Sequence, residues 1–323
     1  MAGDVKVKPP GPKGAYGAAA AGAKIANGSR VKTEATATAK LTYPDGSVVD
    51  VKSGSELIVR VVTGRPSGVT LFAGRVWSKV AKGAGGDTKF EVESANAVAG
   101  VRGTEFEVGV GIDGSTRVRV TEGEVAVGGE DDRPVPVSAG KEIESEDGRM
   151  GKARPAPEDP DWDGWFTRSA QRMEKTGLKV AKSLDGRLNR RKAQVQRLLA
   201  QIKTLKQAVI KLEAQKKRGE DVGTELEKKF SELEKVTARM EGMKERLEGA
   251  FGVFDRWKSG VPGPDADKIA GMSKAIEKVA ADFADMVEEG TDQSQESMDE
   301  MMDDGRRGKS DKPKDSAADE LFK

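Results

Sequence analysis

The chain of 323 residues contains no cysteine and no histidine. The first absence excludes disulfides, thiolate metal sites and a thiol nucleophile. The second removes the commonest general base and metal ligand at neutral pH. Aromatic residues make up only 5% of the chain, so any core has to be built mainly from aliphatic side chains. No apolar run approaches the length of a membrane-spanning helix. The N-terminus shows no apolar signal core, because Met1-Ala2-Gly3 leads almost directly into Val5 and Val7. With 55 Lys and Arg against 54 Asp and Glu the net charge is +1, so the molecule as a whole does not bind polyanions by bulk charge. What is plentiful is charge, at 34% of residues, which points to a modest core plus much exposed helix.

The front of the chain reads as strands. Phe90 and Val92 alternate with polar residues, a small-residue turn follows, and Val101-Arg102-Gly103-Thr104 leads into a second alternating run at Phe106, Val108 and Val110. Period two means one buried face and one solvated face. Pro44-Asp45-Gly46-Ser47 reads as a hairpin turn, since Pro presets φ and Gly accepts the positive φ of a tight turn. Gly64, Gly68, Gly74, Gly83–Gly86, Gly100, Gly103, Gly114 and Gly128-Gly129 punctuate the rest. Short strands with regular turns predict an all-β sandwich, barrel or solenoid.

Several of these pieces, in order, resemble FecR-like domains. The hallmark is Val101-Arg102-Gly103-Thr104-Glu105-Phe106. Leu41-Thr42-Tyr43-Pro44-Asp45-Gly46-Ser47, Leu71-Phe72-Ala73-Gly74-Arg75-Val76-Trp77, Val118–Val125 and Ser138–Ile143 fit the same family pattern across roughly residues 24–148. The resemblance implies a compact, β-solenoid-like winding in preference to an open sandwich. FecR-type proteins of the iron-transport regulators place such a domain on the envelope side, where it relays a signal from an outer-membrane receptor. A single membrane helix joins it to a cytoplasmic anti-sigma segment. Nothing in this sequence resembles those last two parts.

Behind the β-region the period changes. Residues 149–164 hold prolines and acidic residues without apolar periodicity and read as a linker. From 165 to 258 a heptad seam runs through Leu184, Leu188, Val195, Leu198, Ile202, Leu205, Val209 and Leu212, with Arg191 in one seam position. After Gly219 and Gly223 a second seam runs through Leu226, Leu233, Val236, Met240, Met243, Leu247, Ala250, Phe254 and Trp257. Two long amphipathic helices around a short Gly-containing break predict an antiparallel coiled-coil hairpin. A Pro/Gly turn at 259–264 ends it. A third amphipathic helix is expected over 265–289 with Asp265 as its cap, then a disordered tail over 290–323. The predicted class is therefore multidomain, β then α: a FecR-like all-β domain over 1–148, a helical hairpin and a disordered tail.

Between Arg168 and Arg218 there are sixteen Lys or Arg against three Asp or Glu, whereas the third helix and tail are acidic. The plainer reading is neutralisation within the chain by the later acidic segments. The sharper one is a basic helix, 168–218, that meets an anionic surface. The scarcity of aromatics on that helix speaks against nucleic acid. Gly83-Ala84-Gly85-Gly86 lacks the Lys-Ser/Thr and helix of a phosphate loop. Glu105 with Glu107, and Glu122 with Glu124, share strand faces and could be read as acid–base pairs, but alternate carboxylates usually mark a solvated face. Asp45, Asp50 and Asp113 match no Ca²⁺-loop spacing. Trp162 and Trp165 read as packing residues. Arg102 reads as bonded to turn carbonyls or to Glu105.

The reading is a non-enzymatic FecR-domain protein of the cell envelope, a binding, sensor or scaffold module with a coiled-coil arm for spacing or oligomerisation. The alternative is a FecR-type regulator relaying to a sigma/anti-sigma system, its membrane segment missing from this chain. A third reading is a carboxylate-dependent hydrolase. No catalytic residue, metal or cofactor is assigned. Expected partners are a protein or envelope glycan for the β-domain, a second copy for the coiled coil, and an anionic surface for the basic helix. A periplasmic or envelope location is expected if a targeting segment was removed or lies upstream, and a cytoplasmic one otherwise.

Overall fold

The computed structural model of the chain describes residues 2–10, 14–61, 66–82, 90–129, 133–258, 260–277 and 279. Among these, sixteen strands precede the helices: β1 (Val5–Lys8), β2 (Gly17–Ala18), β3 (Arg30–Thr33), β4 (Ala39–Thr42), β5 (Val48–Val51), β6 (Glu56–Arg60), β7 (Ser67–Lys79), β8 (Phe90–Glu93), β9 (Val98–Val101), β10 (Glu105–Val110), β11 (Thr116–Glu122), β12 (Glu124–Gly128), β13 (Val135–Ser138), β14 (Lys141–Glu146), β15 (Arg149–Met150) and β16 (Arg154–Pro155). Then come α1 (Trp162–Lys217), α2 (Gly223–Lys258) and a short α3 over 266–277. Gly64, Gly83–Gly86 and the residues from 280 onward, including the expected tail, lie outside the described residues.

The strands form two layers that share β7. One layer runs β2-β1-β3-β6-β7-β8-β9-β12-β13 and the other β4-β5-β7-β10-β11-β14-β15, with β16 also on β14. β7 changes layers in mid-strand. Its first half pairs with β6 and β8, with Leu57 opposite Leu71 and Val92 opposite Val69. Its second half pairs with β5 and β10, with Val51 and Val108 opposite Val76. The change falls at Gly74, at φ +86°. Ser55 fills the bend: its Oγ accepts from Arg75 N at 2.9 Å and donates to Arg75 O at 3.1 Å. Among the described residues only β7 with β8 is a parallel pairing. The arrangement is thus two antiparallel layers folded over one core; the winding expected from the resemblance would need stacked parallel strands.

Inward residues of both layers make a single aliphatic core with few rings. Val31, Val49, Val51, Leu57, Leu71, Phe90, Phe106, Val118, Val125 and Ile143 are all buried in it. Tyr43 stands edge-on to Phe90 and donates its hydroxyl to Gly68 O at 2.6 Å. Burial pushes this phenol's pKa well above the usual tyrosine range, so it remains a donor. Tyr43→Phe is expected to cost about 1–2 kcal/mol in urea unfolding, because the buried Gly68 carbonyl loses its donor.

The expected linker is partly sheet. Within 149–164, β15 and β16 extend the second layer, and α1 begins at Trp162. The reason is electrostatic: Arg154 pairs with Glu142 at 2.9 Å and with Glu144 at 2.5 Å, adding a second cation to the buried Glu142 carboxylate beside Arg117. Proline tolerates an edge position such as that of β16.

By compactness the chain divides into two units, Met1–Lys192 with Met243–Ala280, and Ala193–Gly242 with Ala281–Lys323. The predicted hairpin over 165–258 is therefore split. In the second unit the two helical stretches meet at a turn where Gly219 has φ +84°. Val209, Leu212 and Leu226 form an apolar cluster against which Val222 and Phe230 pack. Leu198, Ile202, Leu233 and Met240 are buried there, and Leu205 and Val236 half-buried. Met243 and Leu247 belong to the first unit. There α1 is kinked at Thr176, and the neighbouring Gly177 leaves room for Ile269 of α3.

Candidate functional site

The hallmark segment is a corner between the layers. Val101 ends β9 in the first layer and Phe106 sits in β10 of the second. The chain crosses at Gly103, at φ +66°, where a side chain would be strained and would collide with Lys82. The corner is anchored by Val80 N donating to Thr104 O at 2.9 Å. The return crossing, from β11 to β12, lies against it: at Gly123, φ +83°, a Cβ would stand 2.8 Å from Thr104 Cγ2. The family pattern thus encodes two stacked crossovers. Arg102 is exposed on this corner. The Glu105 carboxylate meets Lys79 Nζ at 2.5 Å and holds that ammonium's pKa above its ordinary value. The other predicted turn is also internal scaffolding. Gly46 has φ +85°, Ser47 N and Oγ both donate to Asp45 at 2.9 Å, and Ala81 N donates to Ser47 Oγ at 3.1 Å.

At the hairpin ends of the domain, loops 94–97 and 111–115 are held together and gripped by the helices. Asn96 Nδ2 donates to Gly114 O, Ser94 and Thr116 hydroxyls share a hydrogen at 2.8 Å, and Asp113 Oδ1 accepts from Ser115 Oγ at 2.6 Å. From α1, Ser169 Oγ donates to Asp113 Oδ1 at 2.6 Å and Arg172 Nε meets Asp113 Oδ2 at 2.6 Å. Arg187 Nη2 donates to Asn96 Oδ1 at 2.8 Å, and Arg191 Nη2 to Ala95 O at 3.3 Å. From α2, Trp257 Nε1 donates to Ile112 O at 2.6 Å. Arg191, a seam residue by its spacing, therefore docks a helix on the β-domain. Arg172 pairs also with Glu146. Arg172, Arg187 and Arg191 in the first part of 168–218 thus bond to the β-domain, and the acidic segments from 280 onward that the plainer reading invokes lie outside the described residues.

The helices also cover both outer faces. On the first layer Gly252 of α2 allows close approach to Phe72, whose Cε1 would lie 2.6 Å from a Cβ there. Arg30 stacks on the other side of that ring at 5.0 Å. On the second layer the start of α1 sets Trp162 against Gly109, flanked by Arg75 and Arg117, each 5.1 Å from the indole. Trp165 and Phe166 complete the cluster. Arg117, itself buried, pairs with Glu142 at 2.5 Å. Glu107 lies within 3.3 Å of Arg75 and 3.6 Å of Arg119. Of the strand carboxylates read as acid–base pairs, Glu105, Glu107 and Glu122 are accordingly ion-pair members, and Glu124 accepts from Ser138 Oγ at 3.4 Å. Beside β14 and β15 an open cleft of about 580 Å³ is lined by Glu144, Glu146, Asp147, Arg149, Arg154 and Lys179. Among the described residues no cluster of metal-ligating side chains occurs, and no helix is long and apolar enough to cross a membrane.

One row of the second layer holds a half-buried ring. Trp77 lies opposite Asp50 on β5 and Glu107 on β10. Unlike the other tryptophans, Trp162, Trp165 and Trp257, which are buried, it is half-exposed. No sequence signal distinguished it from a core residue.

Residues 29–126, from the start of β3 into β12, match the family model described as FecR protein. This segment is a FecR domain. It contains both crossovers and both gripped loops. The chain is similar to two crystal structures of a proposed anti-sigma factor from Parabacteroides distasonis ATCC 8503. Each has a TM-score of 0.34 and 19% identity, over 43% of this chain and 63% and 64% of theirs. The match spans less than two thirds of those chains. No curated protein matches the chain.

Proposed function

We propose that the chain is a FecR-type signalling regulator, with its FecR domain as the input module and its helices as the output. The family match supports the regulator reading ahead of the scaffold reading. The observation that carries the relay is the grip on the domain's own loops: Arg187, Arg191 and Trp257 bond directly to the ends of the β8–β9 and β10–β11 hairpins. A partner that shifts either hairpin changes three helix anchors together, which is what a two-state element needs. The output is a protein partner of a sigma-factor system, and the domain faces the cell envelope. No catalytic step is part of the proposal.

Deletion of the gene should change transcription from a group of promoters sharing one sigma-factor recognition sequence. The wild-type chain should restore it, and a variant with Arg187 and Arg191 both changed to Gln should leave it fixed in one state. Unaltered transcription in the deletion strain under envelope stress would remove the regulator reading. The scaffold reading retains one supporting observation, the separate apolar cluster of the second unit. Light scattering on the full chain tests its oligomerising arm.

A further inference from the structure

We propose that the acidic segment 282–304 of this chain packs along the exposed basic face of α1 between Arg197 and Lys217, where it covers the helical hairpin of the second unit. The inference is independent of the regulator reading, since Arg187, Arg191 and Trp257, which carry that reading, lie in the first unit.

Three observations carry it. First, the hairpin has a basic face without counter-charge. Residues 193–218 hold seven Lys or Arg against one acidic residue, Glu213. Arg197, Lys203, Lys211, Lys216 and Lys217 are exposed, and among the described residues none of them has an ion-pair partner. Second, the same face has an apolar centre. Ile210 is 60% exposed, the most exposed large hydrophobic residue among those described, and heptad steps place it between Lys203 and Lys217. The small Ala214, one turn on, is exposed beside it and permits close approach. Third, residues 282–304 hold ten acidic residues and no basic one. Asp282, Asp285, Glu289, Asp292, Glu296, Asp299 and Asp303 alternate steps of three and four, the spacing of one helix face, and Phe283, Val287, Met298 and Met301 fall at the spacing of a neighbouring face.

Length and tethering favour this occupant. At about 1.5 Å per residue, 282–304 as a helix would span about 34 Å, and α1 from Arg197 to Lys217 spans about 31 Å. Both segments fall in the second unit. The segment follows α3, which runs beside α1 in the same direction: Gly263 packs against Glu174, and Ile269 against Gly177. The carboxylates are thus offered to the basic face at the high effective concentration of a tethered ligand. Acidic composition alone reads 290–323 as disordered, and a segment of that kind orders when it finds its counter-charge. Exposed ion pairs are individually weak, so the contact depends on many acting together with the Ile210 patch, and it weakens with salt. An anionic membrane would have to displace these tethered carboxylates before it reached the same lysines.

The absence of cysteine makes the test direct, since Ser297→Cys gives the full chain a single thiol for a nitroxide spin label. In low salt the label should broaden the amide resonances of residues 197–217 and leave those of β4 sharp. Raising the salt to about 0.5 M, or combining Lys203→Glu, Lys211→Glu and Lys217→Glu, should reduce that broadening at least about fourfold. Adding Asp292→Lys, Glu296→Lys and Asp299→Lys to the three lysine changes should restore it. Should a charge-reversed chain fail to fold, the salt dependence of the labelled chain still decides. Absence of broadening in 197–217, or broadening that survives both salt and charge reversal, overturns the proposal. Equal broadening in a mixture of spin-labelled chain with isotope-labelled chain lacking the nitroxide assigns the face to a second copy and overturns it too. Phosphatidylglycerol vesicles probe the remaining occupant: the intact chain should bind them no better than the Lys→Glu chain, and tight binding that this variant loses would give the face to a membrane.

Discussion

Gly74→Val is expected to destabilise the β-domain by about 4 kcal/mol or to prevent its folding. Two independent penalties meet at this position. The residue sits at φ +86°, a region that a β-branched side chain occupies only under strain. A Cβ there would also lie 2.5 Å from Ser55 Cα and 2.7 Å from Ser55 Cβ, and a main-chain atom cannot rotate away. The effect should exceed that of an ordinary strand glycine because β7 pairs with four other strands, two in each layer. Moving Ser55 would also remove both of its bonds to Arg75. Urea unfolding followed by far-ultraviolet circular dichroism measures it. A loss below about 1 kcal/mol would mean that the bend does not require glycine.

Trp257→Ala is expected to cost about 3–5 kcal/mol. The ring is fully buried, packs edge-on against Phe254 at 5.0 Å, and gives its N–H to Ile112 O. Trp257→Phe separates the parts: it keeps most of the apolar area and loses the hydrogen bond, for about 1–2 kcal/mol. The diagnostic reading is where the loss appears. Amide exchange should accelerate in the loop 111–115 and the last turns of α2, both held by this residue, and much less in β4 at the edge of the second layer. Uniform acceleration over the β-domain would contradict a local anchor.

Much of the fold was legible because it depends on short-range rules. Alternation at Phe106, Val108 and Val110 identified an inward face, and all three are in the core. Gly46 and Gly103 fall where the sequence places turns, and each has the positive φ that a tight crossing requires. The change of period marked the start of the helices to within three residues, 165 against Trp162. What escaped depends on contacts between distant segments. Arg191 fits a heptad position, so the pattern assigns it to a helix–helix seam; its partner is a carbonyl 96 residues earlier. Gly74, like Gly68 and Gly100, falls where the sequence places a break between strands, yet each lies inside a strand, and nothing local says that β7 serves two layers. Residues 149–155 lack alternation, and only the buried Glu142 opposite Arg154 explains why they join the sheet.

The clamp has a consequence for the order in which the molecule is made. The last strand ends at Pro155, but the tryptophan that caps Ile112 and the glycine that closes over Phe72 arrive about a hundred residues later, at 257 and 252. A nascent chain therefore carries a nearly complete sandwich with Phe72 and two hairpin ends bare while the helices are still being synthesised, a state prone to association. Fragments cut at the borders of the family match would be held in that condition permanently. They should aggregate where a fragment running from 1 to 280 stays dispersed.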